Sequence, residues 1–270
     1  MKTIESLERG LEVLRSLEEY RGQSLADLHR LTGMPKSSLL RILNTLEKAG
    51  YAWKAISDSQ YRRSISLASR KRSDELTTLI SEIAAPFLSQ LRQKVLWPSD
   101  ILVVRDCQLE LGESSRRQSN LGVTLYEIGA RVDMILSAPG RAYLAFCSPE
   151  ERDAVLLRIE ANPSPIARSR QVLQHELSDI LAQTKRCGYG SRDAQFGGRN
   201  VDIDEFDDGL DAIAVPISCK GNVIACMNLV WPRKYRLKNK IVREHLADLQ
   251  NTAALIAAAC LESDIPVADS

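Results

Sequence analysis

The chain has little of what membrane, metal or redox chemistry requires. No run of apolar residues approaches the roughly 18 to 20 that a membrane-spanning helix needs. The start MKTIESLERG has no apolar core of the kind a secretory signal carries. A cytoplasmic protein with no membrane partner is therefore expected. The six cysteines, Cys107, Cys147, Cys187, Cys219, Cys226 and Cys260, are scattered without a CxxC pair, which argues against a disulfide frame and suits reduced thiols, most of them small core residues. His29, His175 and His245 are the only histidines, each on an expected helix and none with a second His or Cys at ligand spacing. P-loop and GxSxG motifs are missing, and GYGSRD at Gly188 to Asp193 lacks the third glycine of a dinucleotide fingerprint and follows a helix where that motif follows a strand. No nucleophile, base and orienting group emerge together. Neither a cofactor nor catalysis is expected.

With 270 residues and 44% hydrophobic composition, the chain is long enough for two domains, the larger with a substantial core. Its net charge of +1 hides an uneven distribution: residues 1–72 carry 14 Lys or Arg against 8 Asp or Glu, so a +6 head sits on a −5 body. A basic face is the electrostatic footprint of a polyanion partner.

The head is organised around SLADLHRLTGMPKSSLLRILNTLEKAG, Ser24 to Gly50, which reads as two helices joined by a tight turn. Ser24 and Asp27 form a capping box, and Leu25, Leu28 and Leu31 share one face. Gly33 supplies the C-terminal cap, and Pro35 suits the first turn of the next helix. In that helix Leu39, Ile42, Leu43 and Leu46 face a core, while Ser37, Arg41, Asn44 and Lys48 face outward. Such a face fits the major groove: Arg pairs bidentately with guanine, Ser or Asn reads other base edges, and Lys contacts phosphate. Lys36, Ser37, Ser38 and Arg41 lie nearest the end usually inserted. An ordinary solvated pair of helices is the alternative. YAWKAISDSQYRRSI, Tyr51 to Ile65, then reads as two short strands around the turn Ser57 to Gln60, with Lys54, Arg62 and Arg63 near the tip. This makes a winged helix-turn-helix whose wing cations are placed for phosphate or minor groove.

TGMPKSSLLRILNTLEKAGY resembles the recognition segment of the IclR family of bacterial transcription regulators, and SLERGLEVLRSL (Ser6 to Leu17) resembles that family's first helix, with Arg9 at its usual basic position.

Beyond the wing, Ser66 to Arg72 is a polar, basic junction. A linker helix follows, with Asp74 and Glu75 in its first turn and Leu76, Ile80, Ile83, Phe87 and Leu91 at helical spacing; Pro86 predicts a break near Ala84 to Ala85. The remainder alternates. Strands are expected at Ile101 to Asp106, in LELGESSRR and at Ala130 to Leu136. A short helix is expected near Pro139, then one capped by Ser148 with Glu151 as reciprocal carboxylate, then one over Arg170 to Arg186. LDAIAVPIS and VIACMNLVW form a hairpin, closed by a helix over Val242 to Leu261. The predicted architecture is a mainly α winged helix-turn-helix domain over 1–68, a linker helix over 69–96, and an α+β domain with a mostly antiparallel sheet over 97–262, with a tail at 263–270.

The stretches IGARVDMILSAPGRAYLAF, KRCGYGSRD and GLDAIAVPISCKGNVIACMNLV resemble the IclR effector-binding domain, so the likeness runs from about Ser6 to Leu261. LWPSD at Leu96 to Asp100, GRAYLAF and CMNLVWP look closest to activators of phenylpropionate and related aromatic-acid catabolism. Asp133, where the family often has Pro, and a long Asp-rich loop at Asn200 to Asp211 depart from the pattern.

The resemblance implies a regulator that binds a double-stranded DNA operator as a homodimer or homotetramer under the control of a small organic acid effector. Asn228 is the strong hydrogen-bonding side chain on its strand face, either a satisfied core amide or an effector contact; the family places that strand at the cavity. Ser137, Ala138 and Gly140 precede or open a helix whose free N–H groups favour a carboxylate. Arg192 matches a cavity-edge position and either pairs with an acid or is a solvated loop arginine; Ala212 and Val230 complete the expected lining. The competing classes are an enzyme acting on a small acid with a helical dimerisation module, and a ligand-free architectural DNA binder.

Overall fold

The computed structural model describes residues 4–19, 22–64, 73–105, 108–119 and 121–263. The Ser66 to Arg72 junction, Cys107 and the tail beyond 263 lie outside them. The chain divides into two compact units, Met1–Glu82 and Ile83–Ser270.

The first unit contains α1 (Glu5–Glu19), α2 (Leu25–Thr32), α3 (Lys36–Lys48), and the hairpin of β1 (Ala52–Lys54) with β2 (Tyr61–Arg63). At the start of α2, Ser24 accepts from the Asp27 N–H while the Asp27 carboxylate accepts from the Ser24 N–H, so two orphan donors are satisfied reciprocally. Gly33 ends that helix in the left-handed region at φ 68°, returning its N–H to the His29 carbonyl. Pro35, extended at ψ 140°, precedes α3 and does not belong to its first turn. Val13, Leu17, Leu28, Leu39, Leu43, Ala52 and Tyr61 form the core, with Ile42 and Leu46 packed on it. Leu31, expected inside, is 49% exposed. Leu25 and Leu28 reach the core from the earlier turns of α2, whereas Leu31, in its last turn, does not. The wing pairs Ala52 with Arg63, Trp53 with Arg62 and Lys54 with Tyr61.

Helix α4 (Ser73–Lys94) runs through Pro86 without interruption, contrary to the expected break. Proline removes one helical donor, and the flanking buried residues Ala84, Ala85 and Leu88 hold the remaining turns. The buried stripe is Ile80, Ala84, Leu88, Leu91 and Val95, while Leu76, Ile83 and Phe87 are half-buried.

The second unit is built on β3 (Asp100–Arg105), β4 (Gln108–Ser114), β5 (Arg131–Val132), β6 (Gly190–Ser191), β7 (Leu210–Cys219) and β8 (Asn222–Pro232). They form an antiparallel sheet in the order β5-β4-β3-β8-β7-β6, with bulges at Ile101/Leu102 and Ile217/Ser218. The expected strand over Ala130 to Leu136 shrinks to two residues, because the Asp133 carboxylate turns the chain by accepting from the Ile135 and Leu136 N–H groups.

Among the helices are α5 (Ala138–Phe146), α6 (Pro149–Ala161), α7 (Ala167–His175), α8 (Leu177–Cys187) and α9 (Lys238–Glu262). α5 lies across β7 and β8, and α9 covers β7 as well. The strand period divides them: Ala212, Ala214, Cys226 and Val230 share a cluster with α5, so Ile213, Val215, Leu229 and Trp231 bury on the other face. The single helix expected over Arg170 to Arg186 is two helices meeting at Glu176, whose carboxylate reaches back to Arg168 at 2.5 and 2.8 Å. Ser148 caps α6, but Glu151 does not complete the box; it accepts from the Tyr143 hydroxyl.

Candidate DNA-reading face and effector cavity

On α3 the structure presents Lys36, Ser37, Leu40, Arg41, Asn44 and Lys48 to solvent and leaves Ser38 half-buried. No side chain caps its first turn and no acidic residue sits there, so its positive end is unmasked beside Lys36. Leu40, 47% exposed between Ser37, Arg41 and Asn44, escapes an amphipathic reading because it belongs to neither the core stripe nor the polar set. Arg9 of α1 pairs with Glu5 at 2.5 Å. With Ser38 and Arg41 it lines a groove of about 790 Å³ whose apolar wall includes Leu7, Leu11 and Tyr51.

The wing cations differ from expectation. Arg62 is committed within the hairpin: its guanidinium grips Asp58 at 2.6 and 3.1 Å and lies over the Trp53 ring. Its side chain is only 15% exposed. Arg63 is half-buried at the far end of the ladder, paired with Ala52, and is not at the tip. The exposed cation near the turn is Lys54, above the Tyr61 ring.

In the second unit, a small cavity of about 40 Å³ is lined by Ser137, Ala138, Arg192, Ala212, Asn228 and Val230 together with Asp100, Arg116, Tyr126, Phe196 and Asp208. Six of the seven residues expected around an effector thus converge from the α5 start, the end of β6, and the facing strands β7 and β8. Gly140 does not line it. Its N–H is spent on the Ser137 hydroxyl at 3.1 Å, and a Cβ there would stand 2.0 Å from the Met134 carbonyl oxygen. Gly140 serves a close backbone approach.

Asn228 is buried with both amide atoms used: its oxygen accepts from the Asp100 N–H at 2.8 Å and its nitrogen donates to the Asp100 carboxylate at 2.9 Å. Asp100 also takes the Arg116 guanidinium at 2.7 and 3.0 Å and the Ser114 hydroxyl at 2.7 Å. Burial works against the Arg116 charge, but the Asp100 carboxylate outweighs it and holds its pKa above the ordinary value. Arg192 is buried, not solvated, and grips Asp208 at 2.7 and 3.1 Å and the Phe196 carbonyl at 2.7 and 3.2 Å. Tyr126 donates to Asp208 at 2.8 Å; burial and that carboxylate push its hydroxyl well above the usual phenol range. Sequence reasoning missed Asp100, Arg116, Tyr126 and Asp208. Asp208 lies in the Asp-rich loop that departs from the family pattern, but no local spacing singles it out.

Two family profiles account for nearly all of this architecture: the IclR helix-turn-helix domain matches residues 6–54, and the bacterial transcriptional regulator IclR C-terminal domain matches residues 77–258. The chain belongs to the IclR family. It is a transcriptional regulator, not an enzyme, with a helix-turn-helix DNA-binding domain followed by an effector-binding domain. Among IclR relatives, the HTH-type transcriptional regulator XynR of Escherichia coli is 26% identical, over 85% of this chain and 86% of its own length. Two solved IclR-like structures share the fold. A regulator from Rhodococcus is 22% identical with a TM-score of 0.54, covering 97% of this chain and 100% of that one. An IclR homologue from Microbacterium hydrocarbonoxydans, crystallised with 4-hydroxybenzoate, is 21% identical with a TM-score of 0.50, covering 95% and 99%. Among the described residues no helix is long and apolar enough to cross a membrane.

Proposed function

We propose that α3 reads an operator through Arg41, Ser37 and Asn44, with Lys36, Ser38 and Lys48 holding phosphates and Arg9 assisting from α1. Leu40 joins them as an apolar contact suited to a thymine methyl group. The observation that carries this reading is the exposure of the Arg41 side of α3, opposite the side on which Leu39 and Leu43 are buried in the core. The DNA-binding division is residues 1–68, the linker 69–96 and the effector domain 97–262. The working form in the cytoplasm is a homodimer or homotetramer, because one recognition helix is too small for operator-level specificity, and two reading successive major grooves lie about 34 Å apart.

The effector is a small organic acid. Leu102, Leu111, Val132, Ala138, Pro139 and Val230 give the cavity an apolar wall, and Arg116 and Arg192 give it cationic donors. That combination suits a carboxylate on an apolar, aromatic or short-chain body, and control of a catabolic operon for such an acid follows. Arg41→Ala, measured by fluorescence anisotropy against an operator selected from a random duplex pool, is expected to cost about 1–3 kcal/mol on operator and far less on unrelated DNA. Equal losses on both would remove Arg41 from base reading.

A further inference from the structure

The effector cavity is small, and the charges that line it are already paired. About 40 Å³ holds no more than a water or two, far from the space an organic acid needs. Arg116 and Arg192 are each paired with a buried carboxylate, Asp100 and Asp208. Adding a carboxylate to that balanced set would leave an uncompensated buried anion, which is costly in a low-dielectric site. An acid must therefore take the place of a carboxylate already there.

The two aspartates are not equally replaceable. Asp100 is part of the central strand β3, and Asn228, Ser114 and Arg116 all fix it. Asp208 also has three donors, Arg192, Tyr126 and the Leu210 N–H at 2.9 Å, but it belongs to the segment after β6, which has no helix or strand until β7 begins at Leu210. Arg192 keeps the Phe196 carbonyl as an independent anchor, and its own N–H is tied to the Ala212 carbonyl at 3.1 Å. The cation would stay in place if its carboxylate left.

Resting on the effector reading above, we propose that Asp208 is a built-in stand-in for the effector carboxylate. Without an effector it occupies the anion seat formed by the Arg192 guanidinium and the Tyr126 hydroxyl. An acid effector binds by displacing it, placing its carboxylate on those same donors and its apolar body against Leu111 and Val230. The displaced segment then releases Tyr126 and Thr124, whose hydroxyls both reach Asp208, so occupancy of the seat is read out as movement of the Asp208 segment away from the cavity wall.

The test is calorimetric titration of the full-length protein with benzoate and with acetate, alongside thermal shift against matched sodium chloride. Asp208→Asn keeps an acceptor for Tyr126 but removes the competing charge; it is expected to bind the carboxylates at least about tenfold more tightly than the wild type. Asp208→Ala is expected to melt lower than the wild type and to regain melting temperature with acetate but not with chloride. Adding Arg192→Met to either variant should abolish the carboxylate-specific gain. Carboxylate binding to the wild type with no gain in Asp208→Asn overturns the stand-in and leaves the effector reading intact. If neither protein responds to carboxylates beyond chloride, both fail.

Discussion

At the residue scale, much of the charge is spent within the fold. Arg62 shows the distinction best: the same guanidinium that a wing motif offers to phosphate is bound to Asp58 and stacked on Trp53. Arg62→Ala is accordingly expected to cost about 1 kcal/mol of stability through lost charge-assisted bonding and packing. The slope of log affinity against log salt for random DNA should stay the same; a lower slope would show that Arg62 neutralises a phosphate after all. Only the family resemblance placed Ser137, Ala138, Arg192 and Asn228 near one another. Their burial and partners could not be read there, because a side chain's neighbour across a sheet lies a hundred or more positions away, as Asp100 and Asn228 do.

At the level of elements, local chemistry governs starts and stops, and tertiary partners govern continuity. The capping box at Ser24, the caps at Ser137 and Ser148 and the left-handed Gly33 all follow from short-range hydrogen bonding. Where α7 gives way to α8, by contrast, a network that reaches beyond both helices takes over: Asp193 binds Arg141 at 2.8 Å and Arg168 of α7 at 3.2 Å, and Arg168 also holds Glu176. Burial raises the Asp193 pKa, but the Gln195 N–H and the two arginines more than reverse this and hold it below the usual carboxylate range; Arg168 likewise lowers that of Glu176. Since the folded pKa lies below the unfolded one, this stability is fully present above the ordinary carboxylate pKa and is lost as pH falls through the folded value. Urea unfolding between pH 7 and the acid range should show that decline in the wild type and a shallower one in Asp193→Asn. Parallel declines would remove the network from the acid sensitivity.

For the whole molecule, a basic DNA-binding domain and an acidic effector-binding domain divide the two tasks between separate stretches of the chain. Coupling between them requires that the effector favour one of two arrangements, and linkage makes the effect reciprocal. With the carboxylate that proves to bind, saturation should change operator affinity by a factor that operator DNA returns on carboxylate affinity. Titrations performed in both orders check this. Unequal factors would mean that a further equilibrium, such as a change in oligomeric state, intervenes.

The sequence by itself determined the helix-turn-helix with its wing, the outward Arg41 face and the α+β order of the second domain. These depend on periodicity, caps and turns that act within a few residues. Tertiary structure alone decided that α4 continues through Pro86, that Leu31 is solvated, that Gly140 is a packing glycine, and that Arg192 already holds an anion. Each of those outcomes depends on atoms brought near by the fold, whose distances and burial no spacing along the chain encodes.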